Sequence, residues 1–186
     1  MRLRALPEVM EALDRRRSQR IYTHDPISDK DLETILTAAT MSPNSCNRHG
    51  VLVRTVTERR DKELLGGVLV GGVGWVHRAP VVILFLADPI AYASPNEKAF
   101  MHYCDVGFKA MSMWLAAESL GIGACYINPN VGNQEVFTKY FGLLEDLDEQ
   151  GRPDNRELIF CGALTLGHFD NRPSQAERPS INDLRV

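Results

Sequence analysis

Four arginines lie close together near the start of the chain, at Arg15, Arg16, Arg17 and Arg20, with Ser18 among them. An extended backbone from Ser18 onward would place Ser18 and Arg20 on one side, with Arg16 reaching over from the end of a preceding helix. Guanidinium groups match the oxygens of a phosphate, and a bound dianion would offset the repulsion among the arginines. A solvated basic helix end is the simpler interpretation, and composition alone favours it.

A second polar concentration lies in the segment 42–50, where Pro, Asn, Ser and Gly predict a loop. Amide side chains both donate and accept hydrogen bonds, so they can recognise the heteroatoms of a ring ligand. The candidates in this loop are Asn44, Ser45 and Asn47. Structural turns use the same residue types, so the sequence leaves both interpretations open here.

Hydrolytic and metal chemistry have little support in the sequence. Cys46 and His49 lie three residues apart on a predicted loop, which gives no reason for a nucleophile and a base to align. His102 and Asp105 share a helical face, but the sequence supplies no further metal ligands. The glycine-rich stretch 66–74 lacks the spacing of a phosphate loop and predicts a flexible apolar connection. We therefore expect no bound metal and no hydrolase site.

The elements that must position these residues interleave along the chain. Apolar periodicity and cap residues predict helices at 8–17, 28–40, 58–65, 100–120 and 132–141, and strands at 51–57, 79–88, 124–127 and 158–166. The run 79–88 is apolar throughout, which is typical of a strand buried on both faces. This order indicates one domain of the α/β or α+β class.

The segment 100–120 predicts the most apolar helix of the chain. Its polar residues fall on one narrow stripe, formed by His102, Asp105, Lys109, Ser112 and Ser119. A helix that is apolar on every other side is buried in a core or in a subunit interface. The polar residues also interrupt any apolar run long enough to span a membrane.

Size and charge exclude several classes of protein. The chain has 186 residues, enough for a core that needs no disulfide or metal, and a net charge of −3, which gives no reason to expect nucleic acid. Its four cysteines form no CxxC pair, and the N-terminal segment lacks the apolar core of a signal peptide. We expect a reduced, cytoplasmic protein with no membrane or nucleic-acid partner.

Four motifs in order resemble those of the FMN-dependent nitroreductase family. The segment 16–22 reads Arg-Arg-Ser-Gln-Arg-Ile-Tyr, and 43–47 resembles the Pro-Ser-x-x-Asn loop of the family. The third motif is a helix with Asp-Val-Gly at 105–107 that is followed by Gly-x-Gly at 121–123. The fourth is Leu-Gly at 166–167 together with Arg-Pro at 178–179. Each motif alone is weak, but four in register over roughly residues 10–184 are fairly specific.

The resemblance implies an α+β fold with a central, mainly antiparallel sheet flanked by helices. It also implies a single domain over 1–186 and an intertwined homodimer, with 167–186 as a C-terminal arm that reaches the partner subunit. FMN would lie in two clefts at the subunit interface, and the helix 100–120 would form the dimer core.

The resemblance also implies the residues that bind FMN. They are Arg16, Arg17, Ser18, Arg20, Arg178, Asn44, Ser45, Asn47, Cys125, Tyr126, Ile127 and Asn128. Arg16, Ser18, Arg20 and Arg178 would hold the phosphate. Asn47 would reach the flavin ring, and the backbone of 125–128 would lie behind the isoalloxazine. Glu177 departs from the family pattern, because a second basic residue is common there.

The activity implied is reduction of FMN by NAD(P)H, followed by reduction of a nitroaromatic, quinone or enone. A short chain without an obvious lid would leave one flavin face for both reactants, so we expect ping-pong kinetics. No side chain is assigned as catalytic, because the flavin carries the chemistry. A dehydrogenase or dehalogenase on the same fold, or a non-enzymatic flavin-binding protein, is the alternative.

Overall fold

An antiparallel sheet forms the middle of the fold in a computed structural model that describes residues 8–93, 98, 100–130, 132 and 158–185. In that part of the chain the strands are β1 (Val51–Val56), β2 (Val81–Ala87), β3 (Gly123–Ile127) and β4 (Ile159–Gly167). Their order across the sheet is β1-β2-β4-β3, with every neighbouring pair antiparallel. All four strands lie at the positions that the apolar runs predict.

Helices cover the sheet within the same described residues. They are α1 (Glu8–Arg15), α2 (Asp29–Thr40), α3 (Arg59–Val68) and α4 (Met101–Ser119). Helix α2 begins as predicted, because the Ser28 hydroxyl accepts a hydrogen bond from the Asp31 N–H at 3.1 Å. Such an N-cap stabilises a helix by about 1 kcal/mol. The helix predicted at 132–141 lies outside the described residues, apart from Gly132.

Strand β2 is the centre of the core, and all seven of its residues are buried. Ile83 and Phe85 point to one face, where they pack with α2 and α4. Val82 and Leu84 point to the other face, where they pack with α3. The strand therefore lies between two helical layers, and the prediction that both of its faces are buried is confirmed.

The glycine-rich stretch 66–74 differs from its prediction. Helix α3 continues through Val68, and Leu65, Val68 and Leu69 are buried in the core. A Cβ on Gly66 would lie 3.3 Å from the carbonyl oxygen of Gly72, a contact so tight that the neighbour would have to shift. The connection is therefore shorter than predicted and begins after Val68. Gly66 and Gly72 pack closely, whereas Gly67, Gly71 and Gly74 face open space.

Helix α4 turns the first part of its polar stripe inward, whereas Ser119 at the end of the stripe is exposed. His102 and Asp105 are buried, whereas the apolar side chains of Tyr103, Phe108 and Met111 are between 37% and 48% exposed. The periodicity locates the stripe, but the packing of α2 and the sheet on α4 decides the direction in which it points. Among the residues that the structure describes, no helix combines the length and hydrophobicity needed to cross a bilayer.

Gly162 in β4 is a position where no other residue fits. Its φ is +124°, and an added Cβ would lie 2.6 Å from the Tyr126 hydroxyl and 2.7 Å from the Ile127 carbonyl oxygen. We expect Gly162→Ala to lower the free energy of unfolding by at least about 2 kcal/mol, because backbone strain and overpacking add. Urea denaturation measures this loss.

Gly67→Ala is the matched control, because nothing lies within 4 Å of the added Cβ in α3. Alanine is favoured over glycine in a helix by up to about 1 kcal/mol, so this variant should be equally stable or more stable. Equal unfolding midpoints for the two variants would contradict the account of Gly162.

Candidate functional site

A cavity of about 270 Å³ lies where α1 ends and the C-terminal tail returns to it. Its lining residues are Arg16, Arg17, Ser18, Pro173, Ser174, Gln175, Ala176, Glu177 and Arg178. Four residues predicted to bind FMN therefore meet around one space, although they come from opposite ends of the chain. Three of them, Arg16, Ser18 and Arg178, are predicted for its phosphate, and the fourth is Arg17. We call this space the arginine cavity.

Two of these arginines neutralise the end of helix α1. Arg17 donates from Nη1 to the carbonyl oxygens of Asp14 and Arg15 at the end of α1, and to that of Arg16 just after it, at 2.6–2.9 Å. Arg178 donates to the Asp14 carboxylate at 3.1 Å and to the Asp14 carbonyl oxygen at 2.9 Å. Since a helix C-terminus carries partial negative charge, these bonds remove an obstacle to an anion nearby. The basic helix end and the anion site are therefore compatible interpretations.

Arg16 is held in a different way. Its guanidinium carbon lies 4.8 Å from the centroid of the Trp114 ring, a cation–π contact that fixes its direction. The Nε atoms of Arg16 and Arg17 are buried and have no hydrogen-bond partner among the described residues. An unsatisfied buried donor costs about 1–3 kcal/mol, so acceptor oxygens of a phosphate fit this cavity. Glu177 lies in the same lining and reduces the positive charge.

Arg20 does not line the arginine cavity. Its guanidinium carbon lies 6.0 Å from the ring centroid of Trp75. It also approaches the thiol of Cys125. Burial raises the pKa of this thiol, whereas the charge of Arg20 and hydrogen bonds from Ser18 and Arg20 act to lower the pKa. The role of Arg20 at the phosphate stays a prediction.

The outer edge of β3 lies against the arginine segment. Ser18 forms a parallel bridge with Ala124, and the Gln19 N–H donates to the Ala124 carbonyl oxygen at 2.9 Å. A Cβ on Gly123 would lie 2.6 Å from Gln19 Cγ, so glycine permits this approach. The segment 125–128, predicted to lie behind the flavin ring, therefore begins beside the arginine cavity.

The side chains of this segment point in different directions. Cys125 and Ile127 are buried in the layer that packs on α3. The Tyr126 hydroxyl donates to the Cys161 carbonyl oxygen at 2.6 Å, and Asn128 lines a shallow groove beside α4. Their contacts to a cofactor stay predictions.

The loop with the predicted ring-binding residues lies at the other end of α4. Ser45 donates from its backbone N–H and its hydroxyl to the buried carboxylate of Asp105. Asn44 Oδ1 accepts from the His49 N–H at 3.0 Å. Cys46 and Asn47 have φ values of 52° and 58°, which is a left-handed conformation. This conformation is strained for residues other than glycine, although asparagine tolerates it.

The contact of Asp105 with this loop was not predicted from the sequence. In the sequence, Asp105 lies on the polar stripe and in the third family motif, and metal binding is the only chemistry that its position there suggests. The available signal was a carboxylate within an otherwise apolar helix, since buried carboxylates are rare unless they are paired.

Helix α4 connects the two clusters. Asp105 holds the loop, and Trp114, nine residues further along, holds Arg16. At a rise of 1.5 Å per residue these positions are about 13 Å apart along the axis. One rigid element therefore sets the spacing between the two predicted parts of the site.

The first part of the C-terminal tail is tied to its own subunit. Glu118, buried at the end of α4, forms ion pairs with Arg172 at 2.9 Å and Arg15 at 3.5 Å. Arg172 also donates to the Arg15 carbonyl oxygen at 2.8 Å. Further along, Ile181 and Leu184 are each 69% exposed.

A larger concavity of about 560 Å³ lies elsewhere on the surface and includes none of the predicted site residues. It is lined by Tyr22, His24, Arg59, Lys62, His77, Arg78, Ala79 and Pro80. Lys62 is buried there and donates to the carbonyl oxygens of Ala79 at 2.8 Å and Pro80 at 3.1 Å, and its burial lowers the pKa. Lys62 thus ties α3 to the start of β2, and the size of this concavity does not mark it as the site.

The model of the Nitroreductase family matches residues 13–70 and 67–148, which together are more than half of the chain. The protein belongs to the nitroreductase family. The resemblance carried by the four motifs is therefore confirmed, and so is the α+β fold with an antiparallel sheet.

Curated relatives align along most of the chain. The FMN reductase [NAD(P)H] of Bacillus subtilis is 31% identical over 185 residues, which covers 92% of this chain and 70% of the relative. The NADPH-flavin oxidoreductase of Vibrio harveyi is 27% identical over 177 residues, covering 91% and 69%. The oxygen-insensitive NADPH nitroreductase of Salmonella typhimurium is 30% identical over 142 residues, covering 72% and 59%.

Solved structures share the fold. The NADPH:FMN oxidoreductase from Vibrio harveyi in complex with NAD+ superposes with a TM-score of 0.80 at 24% identity, covering 97% of this chain and 76% of that one. A putative nitroreductase from Desulfovibrio desulfuricans in complex with FMN superposes with a TM-score of 0.73 at 25% identity, covering 98% and 97%.

Proposed function

We propose that the protein is an FMN-dependent oxidoreductase that takes electrons from NAD(P)H and passes them to a small organic acceptor. The observation that carries this proposal is the arginine cavity, with two buried guanidinium N–H groups that lack a partner among the described residues. Relatives named as NAD(P)H-dependent flavin reductases support it. When bound, FMN supplies the hydride and electron transfer, and the chain supplies binding, orientation and electrostatics.

The chain holds the two ends of the cofactor with different groups. Arg16, Arg17 and Ser18, together with Arg178, hold the phosphate in the arginine cavity. Arg20 adds positive charge from its position beside Cys125.

Asn47 would recognise the flavin ring through its amide, with Asn44 and Ser45 beside it in the same loop. The backbone of 125–128 lies behind the ring. An amide that hydrogen-bonds the ring supports the negative charge that develops on the ring during reduction.

Arg16→Ala tests the assignment of the phosphate. It removes a charge-assisted contact worth about 1.5–2 kcal/mol, so the dissociation constant for FMN should rise roughly 10- to 30-fold. Titration of FMN with flavin-free protein, followed by quenching of flavin fluorescence, measures this constant. Arg59→Ala is the control, because Arg59 is exposed on α3 and pairs with Glu63. Equal affinity in both variants would remove the arginine cavity from the cofactor site.

The acceptors that we propose are nitroaromatics, quinones and enones, reduced by a ping-pong mechanism. NAD(P)H and the acceptor would have to use the same face of the bound flavin in turn, so they could not be bound together. Initial rates measured against NAD(P)H at several fixed quinone concentrations should give parallel double-reciprocal lines. Intersecting lines would show that both reactants bind together and would contradict the shared face.

A homodimer accounts for the exposed apolar face of α4. Tyr103, Phe108 and Met111 lie on this face, and a groove of about 330 Å³ runs between α4 and β3. A second copy of the chain is the occupant that we propose, with the 167–186 arm reaching the partner through Ile181 and Leu184. The whole chain, 1–186, then forms one domain of the dimer.

Met111→Glu should shift the protein from dimer towards monomer, because a charge in an apolar interface loses its hydration. Analytical ultracentrifugation at micromolar concentration measures the mass. Val73→Glu is the control, since Val73 is exposed on the loop after α3. A wild-type protein that sediments with the mass of one chain while it holds flavin would contradict the dimer.

A cytoplasmic location completes the proposal. All four cysteines are free, which suits a reducing compartment, and NAD(P)H is the electron donor. The partners that we propose are a second copy of the chain and small molecules, with no role for nucleic acid or membrane.

A further inference from the structure

Asp105 is a carboxylate in the interior of the protein, with 1% of its surface exposed. Both of its oxygens accept from the Ser45 backbone N–H at 3.0 Å. The Ser45 hydroxyl donates to Oδ1 at 2.9 Å, and the Tyr92 hydroxyl donates to Oδ2 at 2.7 Å. Of these hydrogen bonds to the carboxylate, those from the backbone N–H and the hydroxyl both come from a single residue of the 44–49 loop, Ser45.

The burial of this charge requires an explanation. An apolar side chain would fill a helix–sheet interface without loss of hydration, whereas a carboxylate needs every oxygen satisfied. Lys109 lies one turn further along α4, and the charge of Asp105 partly offsets the lowering of the Lys109 pKa by burial. Burial and the neighbouring carboxylate raise the pKa of Tyr92, so the phenol remains a donor at neutral pH.

The loop that Asp105 holds has an unfavourable backbone. Cys46 and Asn47, directly after Ser45, have positive φ values, and so does His49 at 53°. Non-glycine residues keep such conformations only where surrounding contacts impose them. The hydrogen bonds from Ser45 to Asp105 fix one end of this segment, and the bond from the His49 N–H to Asn44 Oδ1 fixes the other.

We propose that Asp105 is the positioning residue of the ring-binding loop: it holds Ser45 so that the left-handed turn at Cys46 and Asn47 presents the Asn47 amide to the flavin. The proposal rests on the proposed function, since Asn47 has its role only there. It also gives Ser45 a different part, because both of its donor groups point to Asp105. Ser45 anchors the loop and does not donate to the cofactor.

The first experiment measures how firmly Asp105 holds the 44–49 loop, and it does not depend on enzyme activity. Asp105→Asn keeps the shape of the side chain but removes the charge and one acceptor oxygen. We expect amide hydrogen exchange in the peptide 42–50 of the full-length protein to become about tenfold faster, in line with the loss of a charge-assisted hydrogen bond. Unchanged exchange in this variant would overturn the proposal.

Leu65→Ala is the control for a general loss of stability, because Leu65 is buried in the layer that packs on the opposite face of the sheet. It should leave exchange in the peptide 42–50 unchanged, and equal acceleration there would overturn the proposal. If Asp105→Asn does not fold, Tyr92→Phe decides, since it removes one bond to the carboxylate. About threefold faster exchange in Tyr92→Phe supports the proposal, and none overturns it.

The second experiment asks whether Asp105 acts through Asn47. In anaerobic stopped-flow measurements, Asp105→Asn should slow flavin reduction by NAD(P)H about tenfold, with less than a threefold change in FMN affinity, because the arginine cavity lies at the other end of α4. The double variant Asp105→Asn/Asn47→Ala should be no slower than Asn47→Ala alone, since coupled residues are not additive. Losses that multiply would overturn the positioning role. If the wild type shows no flavin reduction, the proposed function fails, while the exchange measurement still decides whether Asp105 anchors the loop.

Discussion

The buried face of helix α4 is the constraint on which the candidate site depends. A helix is rigid over a few turns, so the side chains that it directs inward are held at fixed separations. Asp105 holds the ring-binding loop by its backbone, and Trp114 orients Arg16 through its ring. Glu118, one turn further, ties the tail that closes the arginine cavity. Three separate pieces of chain thus take their positions from one element.

The electrostatics at the two ends of this helix serve opposite needs. At the arginine cavity, the end of α1 would repel an anion, and Arg17 and Arg178 cancel that effect while they line the cavity. At the other end a carboxylate is buried under the loop, where it accepts hydrogen bonds from Ser45 and Tyr92 and lies near the ammonium group of Lys109. The positive end suits a phosphate, and the loop end, with its carboxylate covered, suits an uncharged ring.

The sequence predicts features that depend on local pattern. The run at β2 is apolar at every position, so its burial on both faces follows from its composition. Ser28 predicts the start of α2 because its hydroxyl can accept a hydrogen bond from the backbone N–H three residues later. The four motifs identify the family for the same reason, since their residue types and order are visible in the chain.

Features that depend on neighbours distant in sequence could not be predicted in this way. Asp105, near the start of the polar stripe of α4, points inward because α2 and the sheet pack on the helix there, and the 44–49 loop and Tyr92 supply hydrogen-bond donors to it. The glycines of 66–74 suggest flexibility until Gly72 is seen to pack on Gly66. Arg20 belongs to the same motif as Arg16, yet its backbone direction takes it to Trp75 and Cys125.

The fold, the arginine cavity and the relatives together lead us to propose that this chain binds FMN in a position where NAD(P)H can reduce it. The decisive measurement is an anaerobic titration of the FMN-loaded protein with NADH and with NADPH, followed at the visible absorption band of the flavin. We expect at least one nucleotide to bleach the bound flavin and a quinone added afterwards to restore the colour. If neither nucleotide bleaches the bound flavin, the protein is not an NAD(P)H-dependent flavin reductase.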